Sequence, residues 1–197
     1  KRAHKSTTST KFKEKGMQIN HQVKKVLITE EQLATRIKEL AKQISKDYEG
    51  KNPLVVGVLK GSWIFLADLV RAMDLDVDVD FIAASSYGGG TESSGHVILT
   101  KDLTANCKDR HVLLVEDIVD TGITISHLKK IFHNRQMASC EIVTLLDKPA
   151  RREVEVDVKY VAFTIPNEFI IGYGLDFDEK LRGLREICVM DTSTIGK

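Results

Sequence analysis

Residues 54–59 read Leu-Val-Val-Gly-Val-Leu, six positions without a polar side chain. A run this short and this continuous predicts a strand buried on both faces. Comparable runs stand at 111–115 (HVLLV) and 140–146 (CEIVTLL). Between such runs the apolar period changes. Leu33, Ile37, Leu40 and Ile44 recur at helical spacing behind Thr29 and Gln32, which form a capping-box start, and YEGKNP at 48–53 ends the helix. Residues 60–73 turn from the first strand into a second helix, and Ile125, Leu128, Ile131 and Phe132 mark a third. Residues 77–87 alternate as a strand does, GGGTESSG at 88–95 predicts a mobile loop, and 96–103 returns as a strand. Shorter strands are expected at 158–165, 168–174 and 186–191. No internal repeat is visible.

Strand and helix alternate through the middle of the chain. The expected fold class is therefore α/β, a twisted, mostly parallel sheet flanked by helices on both faces. The less regular ends are expected to cap one edge.

Composition narrows this picture. A chain of 197 residues, 42% hydrophobic and 29% charged, suits one globular domain with its own core. The net charge of +1 hides an uneven distribution. Residues 1–16, KRAHKSTTSTKFKEKG, carry six Lys/Arg and one acid, which leaves the rest with 23 basic and 27 acidic residues, a net of −4. A mildly acidic body argues against binding a phosphate backbone, so no nucleic-acid partner is expected. Residues 1–16 are read as an appended or disordered tail, with a basic nucleic-acid arm as the rival reading. Cys107, Cys140 and Cys188 are scattered, odd in number and without zinc spacing, which points to free thiols in a reducing, cytoplasmic compartment. No apolar run approaches a membrane span, and no signal-peptide pattern opens the chain.

The chemistry concentrates at 111–125, HVLLVEDIVDTGITI. An apolar strand ends in Glu116 and Asp117, and Asp120, Thr121 and Gly122 follow. Like charges this close repel, so the arrangement has a cost that a function could justify. The carboxyl end of a buried parallel strand is where open α/β sheets bind ligands. Gly122 lets backbone amides approach a ligand, Thr121 and Thr124 offer hydroxyls, and a helix N-terminus favours phosphate. Anion cradle and carboxylates together suit a sugar phosphate with a divalent metal. The alternative is an acidic turn with Asp120 as the helix cap. An ordinary P-loop and a dinucleotide-binding Gly motif are both missing.

VLLVEDIVDTG resembles the phosphoribosyl-pyrophosphate signature of the type I phosphoribosyltransferases. Four further segments resemble one branch, the hypoxanthine (hypoxanthine-guanine) phosphoribosyltransferases of bacterial type. They are VGVLKGSWIFLADL (56–69), SSYGGGTESSG (85–95), LLDKPARR (145–152) and IPNEFIIGYGLDFDEKLRGL (165–184), and they occur in the family's order. The resemblance covers about residues 20–191. It implies one domain over 17–197, with a core about 30–165 and a small hood from the N-terminal segment and about 166–191. It also implies transfer of a phosphoribosyl group from 5-phosphoribosyl 1-pyrophosphate to a 6-oxopurine base, with Mg2+ as cofactor. Nucleoside monophosphate and pyrophosphate are the products, no membrane partner is involved, and the assembly is a homodimer or homotetramer.

The resemblance also implies roles. Glu116 and Asp117 would address the ribose hydroxyls, directly or through Mg2+, and Asp176 would be a further metal ligand. Asp120 would be the general base at purine N7. Thr121, Gly122, Ile123 and Thr124 would hold the 5-phosphate; Ile123 departs from relatives, mammalian ones included, that carry lysine there. Lys60 and Gly61 would contact pyrophosphate at a turn that can hold a non-proline cis peptide, expected here between Leu59 and Lys60. Lys148 would donate to the purine O6, Phe169 would stack on the base, Ile170 would offer backbone to its edge, and Arg182 would contact pyrophosphate. Ser86 and Tyr87 would open a loop that closes over the reaction. Read from the residues alone, Lys148 could equally be a surface lysine beside Arg151 and Arg152, and Phe169 a core aromatic. A regulator that senses the sugar pyrophosphate without catalysis is the rival of another class, and a sister enzyme acting on xanthine or guanine is the nearer one.

Overall fold

The computed structural model describes residues 22–86 and 97–194. A six-stranded sheet forms its centre, built from β2 (Leu54–Leu59), β3 (Asp78–Ser86), β4 (Val97–Lys101), β5 (His111–Val119), β6 (Ser139–Asp147) and β7 (Tyr160–Thr164). The strand order is β4-β3-β2-β5-β6-β7. All neighbours run parallel except β4, which lies antiparallel on β3 at one edge. The mostly parallel α/β class is therefore as the hydrophobic pattern predicts.

Helix α1 (Glu30–Asp47) begins at the predicted capping box: Thr29 Oγ1 accepts from the Gln32 amide and the Gln32 side chain accepts from the Thr29 amide. Its Leu33, Ile37, Leu40 and Ile44 stripe packs with Phe65, Leu66 and Leu69 of α2 (Trp63–Ala72) over Val55, Leu113 and Val115 of the sheet. Helix α3 (Ile123–His133) covers the other face, where Ile125, Leu128 and Phe132 meet Leu54, Val56, Val112, Leu114 and Ile142. Helices thus lie on both faces, which is why the central strands read as unbroken apolar runs.

A second, three-stranded sheet, ordered β1-β9-β8, joins the two ends of the described chain: β1 (Val23–Ile28), β8 (Ile170–Ile171) and β9 (Ile187–Met190), all antiparallel. The strand expected at 168–174 shrinks to two residues. Gly172 and Tyr173 turn away at φ 95° and 49°, outside the strand region.

The central strand β5 is longer than the apolar run that announced it. Its pairing with β2 ends at Gly57–Val115, but pairing with β6 continues through Glu116–Thr144 to Val119–Asp147. Glu116 and Asp117 therefore lie on a strand rather than in a turn, at a point where one neighbour has departed. The departing chain, Lys60 and Gly61, folds back towards this free flank. The Leu59–Lys60 peptide is cis, as expected.

Candidate active site

Gly61 sits against Asp117 so closely that a Cβ built on it would lie 1.6 Å from Asp117 Oδ2. Only glycine leaves the carboxylate its position. Glu116 is 6% exposed, and Asp117 is partly buried beside it. Burial raises the Glu116 carboxyl well above its ordinary range, and the Asp117 charge adds to this. Burial also pushes Asp117 up to about 6, against hydrogen bonds from backbone amides and the more distant positive charge of Arg182. Burial outweighs charge at both carboxyls, with Asp117 adding to the shift of Glu116 and Asp176 to that of Asp117.

Asp120 follows the end of β5. It does not cap the helix. Gly122 is the N-cap at φ 84°, and it makes no side-chain cap hydrogen bond. The Asp120 carboxylate turns instead to Lys148, with Nζ 3.9 Å from Oδ2, and to Arg151, with Nε 3.4 Å from Oδ1. Oδ1 is nonetheless a buried acceptor without a hydrogen bond. Such a group costs stability unless something it is built to meet satisfies it.

The turn 120–124 is strapped from outside by residues 151–154. The Thr121 carbonyl accepts from the amides of Glu153 (2.9 Å) and Val154 (3.0 Å). Arg152 donates to the carbonyls of Asp120 and Val119 and to the Asp147 carboxylate. A Cβ on Gly122 would lie 2.3 Å from the Val154 carbonyl oxygen, so the strap and a side chain cannot share that space. The first-turn amides of α3 and the hydroxyls of Thr121 and Thr124 lie on this held turn, with Ile123 N bonded only weakly, at 3.4 Å, to Thr121 Oγ1.

Lys148 is 5% exposed, which excludes the surface-lysine reading. Its ammonium donates to the Glu168 carbonyl at 2.9 Å. Burial lowers its pKa; Asp120 opposes that shift and Arg151 adds to it. Next to Glu168, Phe169 is 44% exposed and meets Phe177 edge-on at 5.8 Å, so it is not a core aromatic. Ile170 is buried in β8, whose partner β9 fixes it through Val189. The Lys148 ammonium, from the segment after β6, thus joins the Asp120 carboxylate after β5 to the Glu168 carbonyl just before β8, next in the chain to the exposed Phe169 ring.

On the far side of Asp117, Arg182 Nη2 pairs with Asp176 Oδ1 at 2.9 Å, and Nη1 donates to the Gly174 carbonyl at 2.8 Å. Glu179 Oε2 accepts from both Lys60 Nζ (2.9 Å) and Arg182 Nη2 (3.2 Å). The Lys60–Gly61 turn and the segment 172–184 are therefore one electrostatic unit. Among the described residues no three His, Cys, Asp or Glu side chains gather as a metal cage. Glu116 and Asp117 stand as a pair, and Asp176 is engaged with Arg182. Tyr87 and residues 88–95 lie outside the described residues, and Ser86 is described only as the end of β3.

Residue reasoning missed three participants: Glu179, Arg152 and Asp147. Arg152 lies in a visible basic cluster, but only the fold shows that it points inward. Glu179 meets Lys60 across 119 positions of sequence, which no local pattern signals.

An open, mostly parallel sheet with acids and a phosphate-type turn at the carboxyl end of its central strand defines a nucleotide-handling transferase fold, and the family model "Phosphoribosyl transferase domain" matches residues 25–178. The chain belongs to the phosphoribosyltransferase family. Among relatives, it is 49% identical to the hypoxanthine-guanine phosphoribosyltransferase of Streptococcus pneumoniae, over 87% of this chain and 96% of that protein. Among solved structures, a hypoxanthine phosphoribosyltransferase from Staphylococcus aureus superposes with a TM-score of 0.87 at 43% identity, over 91% of this chain and 97% of that one. A hypoxanthine-guanine phosphoribosyltransferase from Bacillus anthracis gives 0.81 at 49% identity, over 85% and 98%.

Proposed function

We propose that this protein joins hypoxanthine, and guanine as a second substrate, to 5-phosphoribosyl 1-pyrophosphate, giving IMP or GMP and pyrophosphate. The names of the relatives support the reaction, and the Asp120 carboxylate, with Oδ1 unbonded and Oδ2 facing the buried Lys148 ammonium, is the observation that carries it onto this chain.

Purine N9 bonds to the ribose C1 as the bond from C1 to pyrophosphate breaks and the leaving group takes the electron pair. The N7 proton becomes acidic as N9 gives up its lone pair. Asp120 accepts it, a transfer worth about 10²–10⁴-fold in rate. Lys148 donates to O6, which favours 6-oxopurines, because an adenine amino group would leave the ammonium unpaired. Phe169 stacks on the ring and Ile170 presents backbone to its edge. The 120–124 turn holds the 5-phosphate, with Thr121 and Thr124 and the backbone in place of a lysine at Ile123.

Glu116 and Asp117 hold the ribose hydroxyls. They also suit Mg2+, which takes one or two carboxylates and completes its shell from water and substrate oxygens, so no three-acid cage is required. Two adjacent hard-oxygen donors with raised pKa and, among the described residues, no ion-pair partner of their own fit that ion, and Asp176 fits a second position on the pyrophosphate side. Bound Mg2+ would neutralise charge on the pyrophosphate. Lys60, Gly61 and Arg182 hold the leaving group.

Pyrophosphate release measured with hypoxanthine, guanine, xanthine and adenine tests the reading. Turnover with the first two and little with adenine is expected. No activity with any purine overturns it.

A further inference from the structure

The two cations assigned to pyrophosphate already hold an anion, and it belongs to the chain. Glu179 Oε2 bridges Lys60 Nζ and Arg182 Nη2 at 2.9 and 3.2 Å. A single carboxylate oxygen between an ammonium and a guanidinium is the contact a pyrophosphate oxygen would make there. The geometry points to Glu179 as an internal competitor, a side chain that occupies the pyrophosphate subsite and must leave it for the sugar pyrophosphate to bind. This inference rests on the role proposed for Lys60 and Arg182.

The surrounding structure suits such an exchange. The backbone of Glu179 is held by the loop, while its side chain is held by the two cations alone among the described residues. The Glu179 amide donates to Asp176 Oδ2 at 2.8 Å, and Phe177 and Lys180 close the turn with reciprocal backbone bonds at 3.1 and 3.0 Å. Asp178, Glu179 and Leu181 all take left-handed φ values, 50°, 62° and 69°, which aim the side chain back across the cleft. The Glu179 side chain is 64% exposed, so water receives it when it leaves. Arg182 loses nothing in position, because Nη1 stays on the Gly174 carbonyl and Nη2 on Asp176. Lys60, by contrast, has Glu179 as its only ion-pair partner among the described residues. The carboxylate thus keeps the lysine aimed at the subsite in the empty protein and competes for it in the loaded one.

Exposed ion pairs are individually weak, so the competition is modest. Breaking two that share one oxygen corresponds to about three- to tenfold in affinity. Glu179→Gln removes the charge with little change of shape, and Glu179→Ala removes the side chain.

The test is calorimetric titration of wild type and both variants with inorganic pyrophosphate, with and without Mg2+, together with KM for the sugar pyrophosphate. Both variants should bind pyrophosphate about three- to tenfold more tightly, with KM for the sugar pyrophosphate lowered to match and kcat not raised. A Glu179 that merely braces the loop gives the opposite sign, because its loss would loosen Lys60 and Arg182 and weaken binding. Unchanged or weaker pyrophosphate binding in both variants overturns the inference, whatever the turnover. Tighter pyrophosphate binding in a protein that turns over no purine would keep the competition and remove the proposed reaction instead.

Discussion

Asp120 and Asp117 lie three residues apart on β5 and the turn after it, and their surroundings give them different chemistry. Asp120 stands between Lys148 and Arg151, whereas the partly buried Asp117 has no ion-pair partner among the described residues. Replacing Asp120 with Asn keeps the shape and removes the proton acceptor. Steady-state kinetics of Asp120→Asn should show turnover lower by about 10²–10⁴-fold with purine binding retained. A near-normal kcat would remove the base assignment. For Asp117 the relevant quantity is stability. Its carboxyl titrates near 6 in the folded protein against an ordinary 3.8, so the unfolded chain ionises first. Folding stability contributed by this group therefore falls as pH rises from about 4 to about 6 and stays low above that. Asp117→Asn should melt higher than wild type at pH 7 in the ligand-free state, with the gap closing towards pH 4. Equal melting curves across that range would show that the carboxylate is not strained.

At the level of elements, the site depends on strand lengths that differ between neighbours. β5 outlasts β2 by four residues on its β6 side, and the flank so opened receives Gly61. Apolar patterning read Val112–Val115 correctly because both neighbours bury them. It could not show that the strand runs on through Glu116–Val119, since pairing with β6 alone tolerates acids. β1 escaped prediction for a related reason: only Ile28 of its six residues is fully buried, and its partner β9 lies at the other end of the described chain. The strap over the 120–124 turn was equally invisible, because Arg152 and Glu153 look like surface charge until β6 brings them back beside β5. The strap can be tested through its guanidinium. Arg152→Ala should lower kcat by about tenfold or more and raise KM for the sugar pyrophosphate, because Asp120 and the phosphate turn lose one support together. Arg152→Lys should recover part of this, as it keeps the charge but not the fork. An alanine variant with unaltered kinetics would make the strap purely structural.

For the molecule as a whole, fold class and site location were legible at different levels. The α/β class followed from runs of buried strand alternating with helical stripes. The place of the site followed from acids at the end of one such strand. The proposed purine contacts did not: Lys148 and Phe169 are an ordinary lysine and an ordinary aromatic in isolation, and only resemblance to known enzymes suggested roles for them. What burial then adds is a decision between readings, since a lysine 5% exposed and a phenylalanine 44% exposed invert the usual places of the two residue types.

The single tryptophan of the chain is Trp63, at the first position of α2 and 50% exposed. Its amide bonds to the Lys60 carbonyl at 3.3 Å, so it rides on the turn that Glu179 holds. The protein consequently carries its own optical probe. Intrinsic emission, excited at the indole band, should change in intensity or wavelength as pyrophosphate titrates in, while hypoxanthine alone should leave it still. A flat signal with a ligand known by calorimetry to be bound would mean that the turn does not move. A responsive one would let binding and release of the leaving group be followed in real time, without label or coupled assay.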